Sequence, residues 1–335
     1  MAGKKNSKLK LLYLKEIFEM YSDEENILNA ADIAEYLLKY DIECERKSIY
    51  KDIEILTDYG MDIVKATKPK HGYFLASRDF ELAELRLIND AVQSANFISK
   101  KKTIQLLKKT DRLVSKYQSE RLHKQVFIDN RNKCTNEEIF YNIDALDSAI
   151  KNGKKVRLKY SRRKLDTRFA ATSEQREFIL SPYALIWSSD HYYLVANNQK
   201  YDNLMNIRID RIRKVEELDE ACRHFSEVSE YTKSFDAADY SSKTFNMFSG
   251  RPCSTELRCK TDILEEMLDR FGEKVSIRKG EEGWFYVHED LYLNDGLVSW
   301  IMQFGDKIEV IYPTELKKMI IEKSRNILSV YNCKN

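Results

Sequence analysis

Between residues 151 and 219 the chain adopts a two-residue period. In "KVRLKYS", "REFILSPYALIWSSD", "HYYLVANN" and "LMNIRIDRIRKVEEL", polar side chains alternate with apolar or aromatic ones, as in strands with one buried face. Several short strands in so short a stretch, with a helix in front, predict a small, strongly bent β-barrel. Within "NIRIDRI" a regular strand places Ile207 and Ile209 on one face, Arg208 and Asp210 on the other, and Arg211 back on the isoleucine face. Three tyrosines, a histidine and two arginines three positions apart fall in residues 191–212. That density suits an anion-binding sheet as well as a packed strand pair.

A length of 335 residues predicts two or three domains. With 33% charged residues and only 10 glycines, the composition suits a helix-rich, soluble α+β protein. There is no long apolar run and no signal-like core after "MAGKKNSKLK", so a cytoplasmic location without membrane contact is expected. The six cysteines stand singly, without close pairs; no structural metal and no cofactor is expected. The net charge of +2 hides a basic middle: residues 100–135 hold 11 Lys+Arg against 3 Asp+Glu, and residues 151–219 hold 15 against 9. Polyanions are drawn to such segments.

Before the strands, "KLKLLYLKEIFEM", "AADIAEYLLKY" and "RKSIYKDIEILTDY" have helical spacing, the second capped by Asn29 or Asp32 and the third stopped by Gly60. "MDIVKATKPKHGYFLA" follows as a hairpin with a lysine-bearing turn. Helix, helix, helix, hairpin is the order of a winged helix-turn-helix. Ile49, Ile53 and Leu56 share the inner face of the third helix, leaving Arg46, Lys47, Ser48, Tyr50 and Lys51 outward near its start. Those residue types reach phosphates and base edges when such a helix enters the major groove. A solvated basic face is the competing interpretation, since residues 1–78 hold 13 basic against 14 acidic residues. Residues 79–117 read as helices, and "TNEEIFYNIDALDSAIKNG" as another, opening at Thr135 and ending at Gly153. After a serine-rich, poorly patterned stretch, residues from 251 onward alternate strand and helix three times, compatible with an α/β sandwich.

"RKSIYKDIEIL" and "HGYFL" resemble the recognition helix and the wing of the bacterial DeoR-like winged-helix regulators, with Glu45 where that family has a serine cap and His71 in place of the first wing glycine. "LSPYAL", the tripeptide Tyr192-Tyr193-Leu194 and "RIDRI" resemble the WYL domain, a bacterial module of Sm-like barrel fold; here Tyr192 takes the place of its tryptophan. The last third, with Trp300 to Gly305, resembles the extension that follows WYL domains. The expected layout is therefore a winged helix-turn-helix at 1–78, a helical connector at 79–134, a WYL barrel at 135–219, a linker at 220–250 and a C-terminal α/β extension at 251–335.

No nucleophile elbow, phosphate-binding glycine loop or clustered histidines occur, so binding rather than catalysis is expected. The resemblance implies a transcription regulator, a homodimer on a double-stranded DNA operator, whose WYL domain senses an anionic effector, a nucleotide or single-stranded nucleic acid. The DNA-contacting set is Arg46, Lys47, Ser48, Tyr50, Lys51, Lys68, Lys70 and His71. The effector set is Tyr160, Arg162, Arg163, Tyr183, His191, Tyr192, Arg208 and Arg211, with tyrosines to stack on bases and arginines to grip phosphate. Arg208 is expected to touch the effector directly and Arg211 to hold the local backbone or bridge to Asp210. The alternative is an accessory protein that binds RNA or single-stranded DNA and modulates a CRISPR-type defence enzyme.

Overall fold

A computed structural model describes residues 3–68, 70–123, 133–167, 169 and 171–332. The chain divides into two compact units, Met1–Thr135 and Asn136–Asn335.

The first unit begins with α1 (Gly3–Tyr21), α2 (Ala30–Leu38) and α3 (Arg46–Asp58), followed by an antiparallel hairpin of β1 (Ile63–Ala66) and β2 (Gly72–Leu75). Asn29 caps α2 through the backbone N–H groups of Ala31 and Asp32, and the Asp32 carboxylate accepts from the Asn29 N–H in return, satisfying donors that a helix start leaves open. Glu45 precedes α3 without a side-chain cap bond. Leu14, Ile17 and Phe18 of α1 close over Ile33, Leu37, Ile49, Ile53 and Leu56, the helical-period set that the sequence offers for burial. Leu28 exchanges two backbone hydrogen bonds with Tyr73, at 2.9 and 2.7 Å. A β-carbon on Gly72 would lie 2.4 Å from the Leu28 carbonyl oxygen, so this third pairing requires glycine. Pro69 of the hairpin turn lies outside the described residues.

The segment expected as a separate connector forms α4 (Leu82–Ser94), α5 (Lys100–Thr110) and α6 (Lys116–His123) and belongs to the same compact unit. The buried Ser115 hydroxyl donates to Asp23 Oδ2 at 2.5 Å, and the Arg78 guanidinium donates to the Ser22 carbonyl at 2.7 Å.

The second unit opens with α7 (Ile139–Asn152), ended by Gly153 at φ +63°. Its start falls after the expected Thr135, because Asn136 takes the local turn by accepting from the Glu138 N–H. Then come β3 (Lys154–Leu165), β4 (Ala171–Ser188), β5 (His191–Asn197), β6 (Leu204–Arg208) and β7 (Ile212–Ala221). They form an antiparallel sheet in the order β6-β5-β4-β3-β7. Among the described residues no pairing joins β6 to β7, so the expected closed barrel is instead an open sheet. The bend is carried by β4. Residues 171–180 pair with β3 and residues 181–188 with β5, with a register slip between Pro182 and Ala184. Proline has no N–H to give a ladder and so favours such a break.

The expected linker, residues 220–250, is packed. It contains α8 (Ala237–Lys243), and its Val228, Tyr240 and Met247 are buried with Tyr193, Val195, Leu204 and Tyr292. The serine-rich pattern concealed this because the burial rests on isolated aromatics rather than on a period. Beyond it lie β8 (Arg251–Lys260), α9 (Leu264–Phe271), β9 (Ser276–Lys279), β10 (Trp284–Leu293), α10 (Asp295–Met302), β11 (Ile308–Tyr312) and α11 (Thr314–Asn332), making eleven α-helices among the described residues. The sheet order is β11-β8-β10-β9. β9 is an addition to the expected strand–helix alternation. All four of its residues are exposed at the sheet edge, so no apolar alternation marks it.

Candidate nucleic-acid and anion-binding sites

On α3 the core residues Ile49, Ile53 and Leu56 turn inward, and Arg46, Lys47, Tyr50 and Lys51 are exposed. Ser48 is not: it is half-buried and accepts from Lys10 Nζ, so its expected outward role is corrected. Lys10 also pairs with Asp52 at 2.5 Å, with both side chains about nine-tenths covered. The Lys10–Ser48–Asp52 group thus fixes the rotation of α3 on α1. Tyr50 lies beside the hairpin, its ring centroid 6.1 Å from that of Tyr73. Lys68 and His71 are exposed on the hairpin. Lys70 is held at 2.6 Å by Asp32. Burial pushes the Asp32 carboxyl up, but hydrogen bonds from Lys70 and from the Asn29 N–H outweigh it and hold the group below the usual carboxylate range.

In the sheet of the second unit the predicted effector residues separate into distinct places. β6 ends at Arg208, and Ile209–Arg211 form a 3₁₀ turn. The turn breaks the two-residue alternation and brings Asp210 back under Arg208, which donates from Nε to Oδ1 at 3.0 Å and from Nη2 to Oδ2 at 2.8 Å. Asp210 therefore pairs with Arg208, not with Arg211 as expected. Arg211 is exposed and, among the described residues, makes no ion pair or hydrogen bond.

Across the β5–β6 ladder Tyr193 stands opposite Arg208, and His191 shares its face two residues earlier. The His191 ring lies edge-on to Tyr193 at 6.3 Å, and its buried Nδ1 has no hydrogen-bond partner among the described residues. Burial first, then the positive charge of Arg208 and, after the opposing Asp210, that of Arg211 pull the His191 pKa below its ordinary value. Tyr193 is raised by burial, against the pull of Arg208. Tyr160 is close enough for its phenol to interact electrostatically with both Tyr193 and Arg208, and its ring meets Phe178 edge-on at 6.2 Å. These residues form one cluster: Tyr160, His191, Tyr193, Arg208, Asp210 and Arg211.

Four other predicted residues lie away from this cluster. Tyr192 points to the opposite face of β5 from Arg208, where burial and Asp147 of α7 raise its pKa. Tyr183 donates its hydroxyl to the Arg223 carbonyl at 2.9 Å and packs against Phe225 and Phe235. Arg162 and Arg163 are exposed on the ribbon where β3 pairs with residues 173 and 174 of β4, and among the described residues no contact ties them to Arg208.

The site also uses residues that sequence reasoning missed. Asn136 Nδ2 donates to the carbonyls of Ile212 at 2.6 Å and Asp210 at 3.3 Å, and Asn142 Nδ2 to that of Ile212 at 2.9 Å. Both asparagines are buried; neither is singled out by the sequence, because Asn136 precedes α7 and so shares no helical period with Asn142. A separate cleft of about 670 Å³ lies between Glu177–Ser181 of β4 and the turn Asn198–Tyr201, floored by Lys155 and Glu220. It contains none of the predicted effector residues.

A bent antiparallel sheet with an arginine-bearing strand end, followed by a second α/β module, defines a two-module α+β class. Residues 141–217 match the WYL domain and residues 251–328 match the WCX domain, so the second unit contains a WYL domain followed by a WCX domain. Among solved structures the chain is similar to proteasome accessory factor B/C of Arthrobacter aurescens, with 15% identity over 95% of this chain and 49% of that one and a TM-score of 0.30. It is also similar to a CRISPR Cas-related protein, with 14% identity over 98% of this chain and 92% of that one and a TM-score of 0.35. The chain spans about half the length of the first. No curated protein matches it. Among the described residues no helix is long and apolar enough to cross a membrane, and no cluster of His, Cys, Asp and Glu is arranged to hold a metal.

Proposed function

We propose that the chain is a DNA-binding transcription regulator in which α1–α3 and the β1–β2 hairpin act as a winged helix-turn-helix and the WYL domain senses an anionic, nucleotide-like effector. The observation that carries this reading is α3, whose core face is locked by Lys10–Asp52 while Arg46, Lys47, Tyr50 and Lys51 stay open to solvent. A recognition helix needs that combination: a fixed rotation so that the same side chains meet the same base edges, and cations free to neutralise phosphates. Lys68 and His71 on the hairpin extend the basic surface. A single such unit reads few bases, so the regulator works as a homodimer on a two-part operator. In the WYL domain Arg208 offers a planar fork suited to phosphate, and Tyr160 supplies an aromatic neighbour.

The test is duplex binding to the DNA upstream of the chain's own gene, measured against salt. Replacing Lys47 and Lys51 with alanine should weaken binding and reduce the slope of log affinity on log salt by about 0.9 for each phosphate no longer neutralised. An unchanged slope in a folded variant points instead to a protein-contacting first unit and to the accessory role.

A further inference from the structure

The cation that the proposed function assigns to the effector is already occupied. Both donors that Arg208 uses, Nε and Nη2, are taken by the two oxygens of Asp210, in the two-point geometry that an incoming phosphate would adopt. We propose that Asp210 is a resident competitor at this fork, that the ligand able to displace it carries a terminal phosphate, and that the 3₁₀ turn released by the exchange acts on Asn136 and Asn142. The inference rests on the anion-sensing reading of Arg208 and goes beyond it by naming the ligand class and the residues that respond.

Charge decides the ligand class. Asp210 offers one negative charge and two oxygens from a position built into the chain, with no cost of association. An internal phosphodiester also offers one charge and two free oxygens, so it gains nothing in the exchange and must pay for its own ordering. A terminal phosphate carries about −1.5 to −2 charges and three strong acceptor oxygens. The surroundings match that surplus. Arg211, on the same turn, is exposed and without an ion pair among the described residues, and the His191 Nδ1 is unpartnered beside the cluster. Once Asp210 has left, two guanidinium groups and an imidazole remain around the fork.

The response follows from what else the turn holds. The carbonyls of Asp210 and Ile212 are the acceptors for Asn136, and that of Ile212 is the acceptor for Asn142. Asn136 is the first residue of the second unit, so a rotation of the turn changes the hydrogen bonding of the segment through which the chain enters that unit. Asn136 and Asn142 are positioning residues here; they do not touch the ligand.

The experiment measures equilibrium binding of the full chain to a short oligothymidylate with a 5′-phosphate and to the same oligomer with a 5′-hydroxyl, alongside amide hydrogen exchange over residues 133–150. The wild type should prefer the phosphorylated probe. Asp210→Asn, which keeps the shape but removes the charge, should bind both probes about tenfold more tightly, the scale of one charge-assisted hydrogen bond, and should discriminate less between them. Arg208→Ala should lose binding. Asn136→Ala should bind within about twofold of wild type but lose the ligand-induced exchange change; a residue that gripped the ligand through a charge-assisted bond would cost far more than that on removal. Equal binding of the two wild-type probes overturns the terminal-phosphate assignment, and unchanged or weaker binding by Asp210→Asn overturns the competitor. An exchange change retained in Asn136→Ala overturns the coupling. If neither probe binds the wild type or Asp210→Asn, or if Arg208→Ala binds like the wild type, the anion-sensing reading itself falls.

Discussion

Arg208 and Asp210 sit two residues apart at the end of β6 and form a two-point ion pair with N–O distances of 3.0 and 2.8 Å, the arginine side chain one-quarter exposed and the aspartate only 12%. In a continuing strand residues two apart lie on one face but stand almost 7 Å apart along the backbone; the 3₁₀ turn brings the carboxylate back beneath the guanidinium. The pair is therefore a structural clasp, and in the proposed reading it is also the group that an anion opens.

That geometry sets unequal roles for the two arginines. Arg208→Ala leaves the mostly covered Asp210 carboxylate without its guanidinium and should destabilise the second unit by about 1–3 kcal/mol, besides removing anion binding. Arg211→Ala removes an exposed side chain and should change stability by less than about 0.5 kcal/mol. Urea unfolding of both variants checks the order; an Arg211→Ala that is the more destabilised reverses the assignment.

The Lys10–Asp52 pair predicts a non-additive response in the first unit. Asp52→Leu alone strands the Lys10 ammonium among apolar neighbours and should cost about 3 kcal/mol, whereas the double change with Lys10→Met should recover most of that loss. Thermal unfolding of the single and double variants gives the coupling. Simple additivity would show that the pair does not hold α3.

Gly72→Ala should destabilise the first unit by about 1–3 kcal/mol, because the new β-carbon meets the Leu28 carbonyl oxygen and forces the hairpin away from residue 28. Amide exchange at Tyr73 and Leu28, the donors of the two bonds, should speed up selectively. Unaltered protection at both would mean that the close approach is relieved without cost.

His191 gives a pH dependence whose sign is fixed by its lowered pKa. The unfolded imidazole takes a proton as pH falls through its ordinary value of 6.5, while the folded one, half-buried and next to Arg208 and Arg211, resists. The unfolded state then binds more protons, so the stability contributed by neutral His191 is present above about pH 6.5 and is lost as pH falls toward the lower folded value. Unfolding free energy measured between pH 7.5 and 5.5, a range on the order of one unit either side of that value, should decline less steeply in His191→Gln than in the wild type. Identical slopes would remove His191 from the cause.

Features that depend on neighbours along the chain were legible from the order of residues. Helical spacing of Ile49, Ile53 and Leu56 settled which face of α3 is buried, and Gly153 ended α7 because a left-handed residue is needed there. The alternation in residues 191–197 placed β5, and the capped segment ending at Gly153 placed a helix in front of the strands.

Which neighbours those faces meet was set by long-range packing. Ser48 looked outward by its place in the helix, yet Lys10 of α1 claims its hydroxyl. Tyr192 and Tyr193 are adjacent in sequence, but the pleat sends Tyr193 to Arg208 and Tyr192 to the side of α7. Residues 220–250 have no period to read, and they become ordered because Tyr240 and Met247 fill a hollow over Tyr193 and Val195. The 3₁₀ turn at residues 209–211 sets which arginine Asp210 serves, and the carbonyls of Asp210 and Ile212 are anchored by Asn136 and Asn142, some seventy residues earlier. Periodicity fixes the order of side chains along a strand, whereas the end of a strand is set by long-range hydrogen bonds that satisfy its last buried carbonyls.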